Sequence, residues 1–247
     1  MIILFSPSEA KTDINTYNHI DKNSFVFSKL YSKRERALKV YQDFIKTSSE
    51  NELKKLFGIK NSKYLNDLKK IDIFYSKTNK AVIRYSGVGY KYLGYDSLDI
   101  VAKNFIDLHL IIFSNLFGPI LSKDHIPYYK LKQGEKIGDF AFERYYNENF
   151  SDTLDNFLKD KFIIDLRASF YNKFYTPKNN YLTFKFLKNG KVVSHWAKAY
   201  RGIVAREIAK IRPKNEKEFM SINFETLQIT EVKQIKNNKE LIFKILE

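Results

Sequence analysis

Hydroxyl and ammonium side chains that could bind a phosphate group follow the first apolar run of the sequence. The segment SPSEAKT carries Ser6, Ser8 and Lys11 directly after the run IILF. Open α/β sheets bind ligands at the carboxyl ends of their strands, so this segment predicts a phosphate-binding loop, although it lacks the glycines of a P-loop. A capped turn that leads into a surface loop explains the same residues, and that alternative stays open.

A second candidate phosphate site lies in the lysine-rich stretch ELKKLFGIKNSKYLNDLKK. Gly58 suits the end of one helix, where the left-handed conformation costs glycine little, and Asn61 or Ser62 can cap a second helix. The free amides of that second helix, with Lys60 and Lys63 beside them, would hold a DNA phosphate as a helix-hairpin-helix does. An ordinary pair of antiparallel helices with solvated lysines is the alternative interpretation.

A third basic segment, HWAKAYRGIVAREIAKI, has helical spacing with two uncharged faces. One face is small because it carries Gly202 and two alanines, so a backbone or a ligand could approach it closely. Lys198, Arg201 and Arg206 lie beside these faces. The helix is therefore either the wall of a positively charged cleft, with guanidinium groups that bind phosphate, or a core helix whose basic side chains reach solvent at its edges.

Other segments give weaker indications of chemistry. SGVGYKYLG has two of the glycines of a dinucleotide-binding turn, but Tyr92 stands at the third position, so a tight aromatic-lined turn is the better prediction. Asp124, Glu143 and Asp165 could act as acids or bases, but no spacing in the sequence brings them together. The four histidines (residues 19, 109, 125 and 195) have no metal-binding spacing. No catalytic residue, metal or cofactor is predicted.

The composition favours a folded protein with a polyanionic partner. The 247 residues include no cysteine, which excludes a disulfide framework, a thiol nucleophile and thiolate metal sites. The formal net charge is +15, and basic residues cluster between residues 51 and 70 and between residues 178 and 217. Clustered charge indicates a one-sided basic surface that attracts a polyanion. Most of the charge is lysine, however, and an AT-rich genome would supply the same total regardless of function.

No segment of the sequence is predicted to cross a membrane or to direct export. The longest apolar run, LHLIIFSNLFGPIL, is shorter than the ~20 residues that a spanning helix needs. MIILFS lacks the basic start and the cleavage site of a signal peptide. We expect a soluble, cytoplasmic protein, and we expect it to be a monomer.

The elements that must position these residues include both strands and helices. The hairpin YLTFKFLKNGKVV is the clearest, since apolar residues alternate along it and Asn189-Gly190 favours a type I′ turn. Asp96 is a suitable N-cap for the helix that follows it. We therefore expect one compact mixed-sheet α/β domain over residues 1–247, with the helix-hairpin-helix inserted at residues 48–75. The remaining predictions are strands at Ile2–Phe5, Ala81–Tyr85, HLIIFSN, Phe162–Leu166, TLQITEV and ELIFKIL, and helices at Leu30–Lys46 and Phe140–Asp160.

Several of these stretches, in the same order and at matching spacing, resemble the YaaA family of bacterial peroxide-stress proteins. IILFSPSEAKT resembles the family's opening strand and its SPAKT or SPSKT loop, and SNLFGPILSKDHIPYYKLKQG resembles its SGLYGVLRPLD…PYRLEMG signature. IIDLRASFYNKF and AKAYRGIVAREI resemble two further segments of the family. The corresponding positions are Ser114, Leu116, Phe117, Gly118, Asp124, Tyr129, Lys130, Leu131, Gly134, Leu166, Tyr171, Lys173, Ala197, Lys198, Arg201, Gly202 and Arg206.

The resemblance implies a cytoplasmic protein of the peroxide stress response that limits oxidative damage to DNA. It also implies a compact α/β fold of its own kind, affinity for DNA, and a helix-hairpin-helix at residues 53–68 beside a basic cleft. It does not supply an established reaction.

These observations lead to three hypotheses. The first is a DNA-binding protective protein that grips the DNA backbone, selects DNA by structure rather than by sequence and loses affinity steeply with salt, with Trp196 available to stack on an unpaired base. The second is an enzyme that acts on a phosphate-bearing substrate, and the third is a structural or partner-binding protein. The first hypothesis assigns DNA contacts to Gly58, Lys60, Ser62, Lys63, Lys198, Arg201 and Arg206. The second places Ser6, Ser8, Lys11, Asp124, Tyr129 and Arg201 in one pocket.

Overall fold

Strands form where apolar residues run continuously or alternate along the sequence. In a computed structural model, which describes residues 1–246 apart from the side chains of Ser194 and His195, all four residues of the first strand are buried. A strand that is buried on both faces belongs to the centre of a sheet. The strands in this part of the chain are β1 (Ile2–Phe5), β2 (Thr78–Lys80), β3 (Leu110–Ser114), β4 (Gly118–Leu121), β5 (His125–Pro127), β6 (Ile163–Asp165), β7 (Tyr181–Lys188), β8 (Lys191–Val192), β9 (Leu227–Ile235) and β10 (Asn238–Ile245).

The longer helices form where apolar residues recur every three or four positions. In one of them, Tyr146, Phe150 and Leu154 share the buried face. The helices within residues 1–246 are α1 (Tyr31–Thr47), α2 (Glu50–Phe57), α3 (Leu65–Lys69), α4 (Ala81–Arg84), α5 (Val88–Leu93), α6 (Ile100–His109), α7 (Phe142–Leu158), α8 (Ser194–Ile211) and α9 (Glu216–Met220). Short 3₁₀ helices lie at Ser28–Leu30, Ser62–Tyr64, Tyr95–Ser97 and Ser169–Lys173.

The main sheet is mixed and has β1 near its middle. Its strand order is β4-β3-β1-β6-β7-β10-β9, with β8 attached to β7. β1 is parallel to both of its neighbours, β3 and β6, and β7 is parallel to β6 and to β10. β4 and β9 pair antiparallel at the two edges, while β2 and β5 form a separate two-stranded sheet. The predicted mixed α/β domain is confirmed.

Local predictions based on alternation and turn chemistry are confirmed. Asn189 and Gly190 have φ angles of 50° and 73°, the two positive values that a type I′ turn requires. TLQITEV and ELIFKIL form the antiparallel pair β9 and β10. The predicted central strand HLIIFSN is β3, and Phe140–Asp160 forms the single helix α7.

Three local predictions are wrong. Ala81–Tyr85 is mainly the short helix α4, not a strand, because the amides of its first two residues donate to the carbonyl oxygens of Asp124 and Ser122. The N-cap of α6 is Asp99, whose carboxylate accepts from the amide of Ala102 at 2.7 Å, whereas Asp96 lies in a 3₁₀ turn before it. SGVGYKYLG contains the helix α5 where a tight turn was predicted.

Helix α8 packs on α5 so closely that only glycine fits at the contact. Both uncharged faces of α8 are buried as predicted, since Val204 and Ala205 are each fully inaccessible to solvent. Gly202 faces α5, and a Cβ atom there would lie 2.1 Å from the carbonyl oxygen of Gly89 and 2.9 Å from the amide nitrogen of Leu93. The small face of α8 therefore meets a backbone.

Gly202→Ala is expected to destabilise the fold by about 2 kcal/mol or more, because the two helix backbones must separate to admit one methyl group. The better helix propensity of alanine offsets only about 1 kcal/mol of that cost. Urea unfolding followed by circular dichroism measures the change. Ser32→Ala, at an exposed position of α1, is the control, because it raises helix propensity without a close contact. Equal stability losses in the two variants would show that the α5–α8 contact tolerates a side chain.

Candidate functional site

A pocket opens at the carboxyl ends of β1 and β6, in the middle of the main sheet. The chain passes from β1 to β3 on one side of β1 and later reaches β6 on its other side. Open α/β sheets bind ligands at such switch points, because the loops diverge there and leave a crevice. This switch-point pocket has a volume of about 360 Å³. Its lining residues are Phe5, Ser6, Pro7, Ser8, Glu9, Gly87, Val88, Gly89, Tyr90, Gln133, Leu166, Ala168, Tyr171, Lys198 and Arg201.

The loop after β1 is fixed by contacts across the switch-point pocket. The hydroxyl oxygen of Ser6 accepts from the amide of Ala168 at 2.8 Å, which ties the end of β1 to the end of β6. The carbonyl oxygen of Ser6 accepts from the hydroxyl of Tyr90 at 2.9 Å. Ser8 lies against Gly87, where a Cβ atom would come within 2.7 Å of its hydroxyl oxygen. The predicted phosphate-binding loop therefore lines a real cavity.

Positive charge enters the switch-point pocket from α8. Arg201 is partly buried, and within the described residues its guanidinium group makes no hydrogen bond or ion pair. Burial lowers the pKa of Arg201, and the nearby carboxylate of Asp165 acts in the opposite direction. That carboxylate is already bound by Arg167, whose Nε and Nη2 atoms lie 2.8 and 2.6 Å from its two oxygens. Arg201 and the exposed Lys198 are thus available to an anion.

A second depression, of about 700 Å³, lies beside the helical hairpin formed by residues 50–69. We call it the hairpin groove. Residues 59–71 form one wall, and the opposite wall comes from the loop after β1 and the segment after β5. The lining residues are Lys11, Asp13, Asn15, Ile59, Tyr64, Asp67, Leu68, Ile71, Ser76, Lys77, Tyr128 and Lys130.

Residues 6–13, which we call the shared loop, separate the two cavities. Ser6, Ser8 and Glu9 line the switch-point pocket, whereas Lys11 and Asp13 line the hairpin groove. Ser6 and Ser8 therefore lie on one side of this loop and Lys11 on the other, although the three were expected to converge in one phosphate pocket.

Lys11 extends from the shared loop over two tyrosine rings. Its Nζ atom lies 4.1 Å from the ring centroid of Tyr129 and 5.2 Å from that of Tyr85, and it donates to the carbonyl oxygen of Ser8 at 3.2 Å. Burial is the main cause that lowers the pKa of Lys11 to about 7, and the nearby cation of Lys130 adds to the effect. A cation–π contact favours the charged amine, but it does not replace the lost hydration. A large share of Lys11 is therefore uncharged near neutral pH.

The turn of the hairpin is packed against the rest of the protein. Gly58 ends α2 with a φ angle of 65°, as predicted, and the Lys132 side chain covers it, because a Cβ atom there would lie 2.8 Å from the Cδ atom of Lys132. The amide of Lys132 donates to the carbonyl oxygen of Leu56 at 2.9 Å. The predicted seam is also present, since Leu65 and Leu68 are buried.

Groups that were expected to hold phosphate at this turn have partners within the protein. The second helix, α3, has only five residues. The side-chain oxygen of Asn61 accepts from the amide of Lys63 at 2.8 Å, and the hydroxyl of Ser62 donates to the carboxylate of Glu50. Lys60 and Lys63 are exposed and make no ion pair with any described residue. The tip therefore offers ammonium groups to a ligand more readily than backbone amides.

Arg206 lies away from both cavities. Its Nη1 atom donates to the carbonyl oxygens of Leu93 and Gly94 and contacts the hydroxyl of Ser97, each at 3.0 Å. These carbonyl groups end α5 without partners in the helix, so Arg206 caps that helix. It is not brought together with Lys198 and Arg201.

Asp124 and Tyr129 are buried and bound within the core. One carboxylate oxygen of Asp124 accepts from the amides of Leu121 and Val26 at 2.9 and 3.2 Å, and burial raises the pKa of Asp124 to about 6. The hydroxyl of Tyr129 lies 2.7 Å from that of Tyr85, and only its ring face reaches Lys11. Asp124 therefore holds backbone in place and does not line the switch-point pocket.

Several lining residues were not predicted from the sequence. Tyr90 and Tyr171 form aromatic walls of the switch-point pocket, and Lys77 and Tyr128 line the hairpin groove. Gly87, which directly precedes α5, could have indicated the close approach of that helix to the shared loop. No comparable local signal precedes Lys77.

Fold and cavities together define a class of protein. It is an α/β protein with a pocket at the switch point of its sheet, lined by tyrosines and by charged side chains, and with a second groove beside a helical hairpin. Residues 1–233 match the sequence family described as peroxide stress protein YaaA. The chain belongs to this family, which confirms the resemblance seen in the sequence.

Relatives in other bacteria cover most or all of the chain. An uncharacterized protein of Campylobacter jejuni is 47% identical over 248 residues and covers 100% of both chains. A UPF0246 protein of Corynebacterium efficiens is 33% identical over 216 residues, or 85% of each chain. A UPF0246 protein of Fusobacterium nucleatum is 26% identical over 250 residues, or 98% of each chain.

The described residues contain neither a membrane-spanning helix nor a cluster of metal ligands. No helix between residues 1 and 246 is long and apolar enough to span a bilayer. In the same part of the chain, no three histidine, aspartate or glutamate side chains could hold a metal ion together, and the side chain of His195 lies outside the described residues. The expected lack of a metal and of a cofactor stays a prediction.

Lys11→Met is expected to flatten the pH dependence of stability above neutral pH. The pKa of Lys11 is about 7 in the folded protein and about 10.4 in an unfolded chain. Between these values the unfolded chain binds more protons, so the free energy of unfolding of the parent rises with pH. Urea unfolding at pH 7, 8 and 9 measures the slope. Lys33→Met, at an exposed position of α1, is the control. Identical slopes in the parent and in Lys11→Met would contradict a lowered pKa.

Proposed function

We propose that this member of the peroxide stress protein YaaA family binds DNA and that the hairpin groove holds the sugar-phosphate backbone. The observation that carries the proposal is the groove itself. Three lysines, Lys11, Lys77 and Lys130, line it, and Lys60 and Lys63 extend from the tip of its hairpin wall. Cations that line one depression attract a polyanion.

Most of these ammonium groups are free to exchange a counterion for a phosphate. Lys60, Lys63 and Lys77 are exposed and make no ion pair with any described residue. The groove also contains Asp13 and Asp67, but the second of these lies 3.8 Å from the ammonium group of Lys70. The balance of charge along the groove is therefore positive.

The contacts available in the groove favour recognition of DNA structure rather than of base sequence. Flexible lysines bind phosphates, which carry no sequence information. Tyr64 is 59% exposed and lies beside Lys63, whose Nζ atom is 5.7 Å from the centre of its ring. An exposed ring next to a cation can stack on an unpaired base of any type. The proposal thus includes a preference for DNA that contains unpaired or distorted positions.

The composition is consistent with a role on DNA during peroxide stress. The chain has no cysteine, so it cannot reduce peroxide through a thiol of its own. Protection would then act on a target of the oxidant, and DNA is the target that a basic groove can bind.

The variant Lys60→Glu/Lys63→Glu is expected to bind DNA more weakly and to depend less on salt. Each lost phosphate contact lowers the slope of log K against log salt by about 1, so two contacts lower it by about 2. Fluorescence anisotropy with duplex, single-stranded and branched DNA across a salt series measures both quantities.

Lys29→Glu/Lys33→Glu is the matched control, because it makes the same change in net charge at two exposed lysines outside the groove. A general effect of net charge would weaken binding equally in the two double variants. If Lys60→Glu/Lys63→Glu binds each form of DNA with the affinity of the parent, the groove is not the DNA site.

A second candidate function rests on a different observation, the unpartnered guanidinium group of Arg201 in the switch-point pocket. A partly buried cation without a partner favours an anionic ligand, and Lys198 lies at the same wall. Tyr90 and Tyr171 supply aromatic surface next to these cations. The pocket therefore suits a small molecule with a phosphate group, which is the class of substrate expected for an enzyme at this position of the sheet.

Arg201→Gln is expected to abolish the binding of phosphorylated small molecules while DNA binding through the hairpin groove persists. Calorimetry with inorganic phosphate, nucleoside monophosphates and sugar phosphates tests the parent first. The hairpin variant Lys60→Glu/Lys63→Glu serves as the reciprocal control and retains such binding. Binding that survives in Arg201→Gln would place the anion elsewhere.

A further inference from the structure

Lys11 has the surroundings of a reactive amine rather than those of a salt-bridging lysine. Its Nζ atom touches two ring faces and two backbone carbonyl oxygens, those of Ser8 at 3.2 Å and Glu9 at 3.4 Å. No carboxylate lies within ion-pair distance among the described residues. A carboxylate oxygen of Glu9 accepts instead from the amide of Gln133 at 3.2 Å. The amine is therefore held in place without an anionic partner.

Burial is the main cause that keeps a substantial share of Lys11 unprotonated, and the charged groups around it modify the effect. Lys130 and Arg84 lie near enough to disfavour a further positive charge, while Glu9 opposes them. With a pKa of about 7, roughly half of the amines carry a lone pair at neutral pH. An ordinary lysine offers roughly one neutral amine in a few thousand at that pH. Nucleophilic lysines of enzymes are activated in the same way, by desolvation and by neighbouring cations.

Lys11 also lines the hairpin groove, where it lies over the ring faces of the buried Tyr85 and Tyr129. A backbone that lies along Lys77, Lys130 and the hairpin tip would pass its sugars over this amine. A neutral amine reacts reversibly with aldehydes. In DNA an aldehyde appears where a base has been lost, because the deoxyribose ring then opens. Oxidative damage releases bases, so such sites arise under peroxide stress.

We propose that Lys11 forms a covalent imine with the open-chain aldehyde of an abasic deoxyribose held in the hairpin groove. This inference rests on the proposed binding of DNA and adds a reaction to it. The substrate class is a phosphodiester that carries an aldehyde at C1′.

The reaction balances without an oxidant or a reductant. The neutral Nζ atom attacks C1′, the carbonyl oxygen takes up a proton, and loss of one water leaves a protonated imine. The imine makes the C2′ hydrogen acidic, and Asp13, which lines the same groove, is the carboxylate available to remove it. The C3′–O bond then breaks and the 3′ phosphate leaves. Hydrolysis of the imine by one water restores Lys11 and releases the unsaturated sugar on the cut strand.

Borohydride trapping tests the proposal directly. The full-length protein is mixed at neutral pH with a duplex that contains one abasic site, and sodium cyanoborohydride reduces any imine to a stable amine. A covalent protein–DNA band is expected on a denaturing gel, and peptide mass spectrometry is expected to place the bond on Lys11. An intact duplex of the same sequence gives no band.

Lys11→Arg separates the chemistry from the charge, because a guanidinium group keeps the positive charge but forms no such imine. The trapped band is expected to fall to the background level at protein concentrations that saturate the DNA. Lys33→Arg, at an exposed position outside the groove, is expected to give the same trapped protein–DNA band as the parent. Circular dichroism verifies that the variants fold. If Lys11→Arg does not fold, peptide mass spectrometry of the trapped parent protein still shows whether the bond lies on Lys11.

The outcomes separate this inference from the DNA-binding proposal. Binding to DNA without trapping, or trapping spread over exposed lysines, overturns the role of Lys11 and leaves DNA binding intact. Failure to bind any DNA overturns both. The phosphorylated aldehyde glyceraldehyde 3-phosphate is tested in parallel, and trapping of that compound at Lys11 without trapping of abasic DNA overturns DNA as the source of the aldehyde.

Discussion

The parallel pairing of β1 with β3 on one side and β6 on the other is the constraint on which the rest of the structure depends. All four residues of β1 are at most 3% exposed, so the strand must lie inside the sheet with helices on its faces. The chain can leave β1 only through the crevice at its carboxyl end. The shared loop is then anchored by the bond from Ala168 to Ser6 and by the pairing of Lys11 with Tyr85. The switch-point pocket and the position of Lys11 both follow from this exit.

The arginines and the lysines of this chain have different tasks. Arg34 and Arg84 are fully buried and donate to backbone carbonyl oxygens, Arg167 binds a buried carboxylate, and Arg206 caps a helix. A guanidinium group suits such sites because it presents several donors in a fixed geometry. Most of the surface charge is consequently carried by lysine, which binds phosphate as a mobile point charge with little geometric specificity, although Arg36, Arg144 and Arg212 are also exposed. Arg201 is an exception because it lines a cavity.

Local patterns were sufficient where a local cause fixes the structure. The alternation around Phe184 and the pair Asn189-Gly190 determined a hairpin that the structure contains, and Gly58 ends its helix in the left-handed conformation as expected. The strand predicted for AVIRY (Ala81–Tyr85) is wrong, because the helix that forms there depends on contacts with Ser122 and Asp124, about forty residues away. The surroundings of single side chains also depend on distant contacts. Asp124 accepts from the amide of Val26 across 98 positions, a distance no motif encodes. The two cavities lie on opposite sides of one loop, and the sequence alone cannot show that.

The shared loop contributes residues to both cavities. Ser8 and Lys11 are only three residues apart, and the ammonium group of the second donates to the carbonyl oxygen of the first. A small ligand that shifts this loop in the switch-point pocket also moves the amine in the hairpin groove. Linkage then requires reciprocity, so a metabolite that changes the affinity for DNA has its own affinity changed by DNA by the same factor. If DNA binds in the hairpin groove as proposed, a phosphorylated compound in the switch-point pocket would act as an effector of that binding.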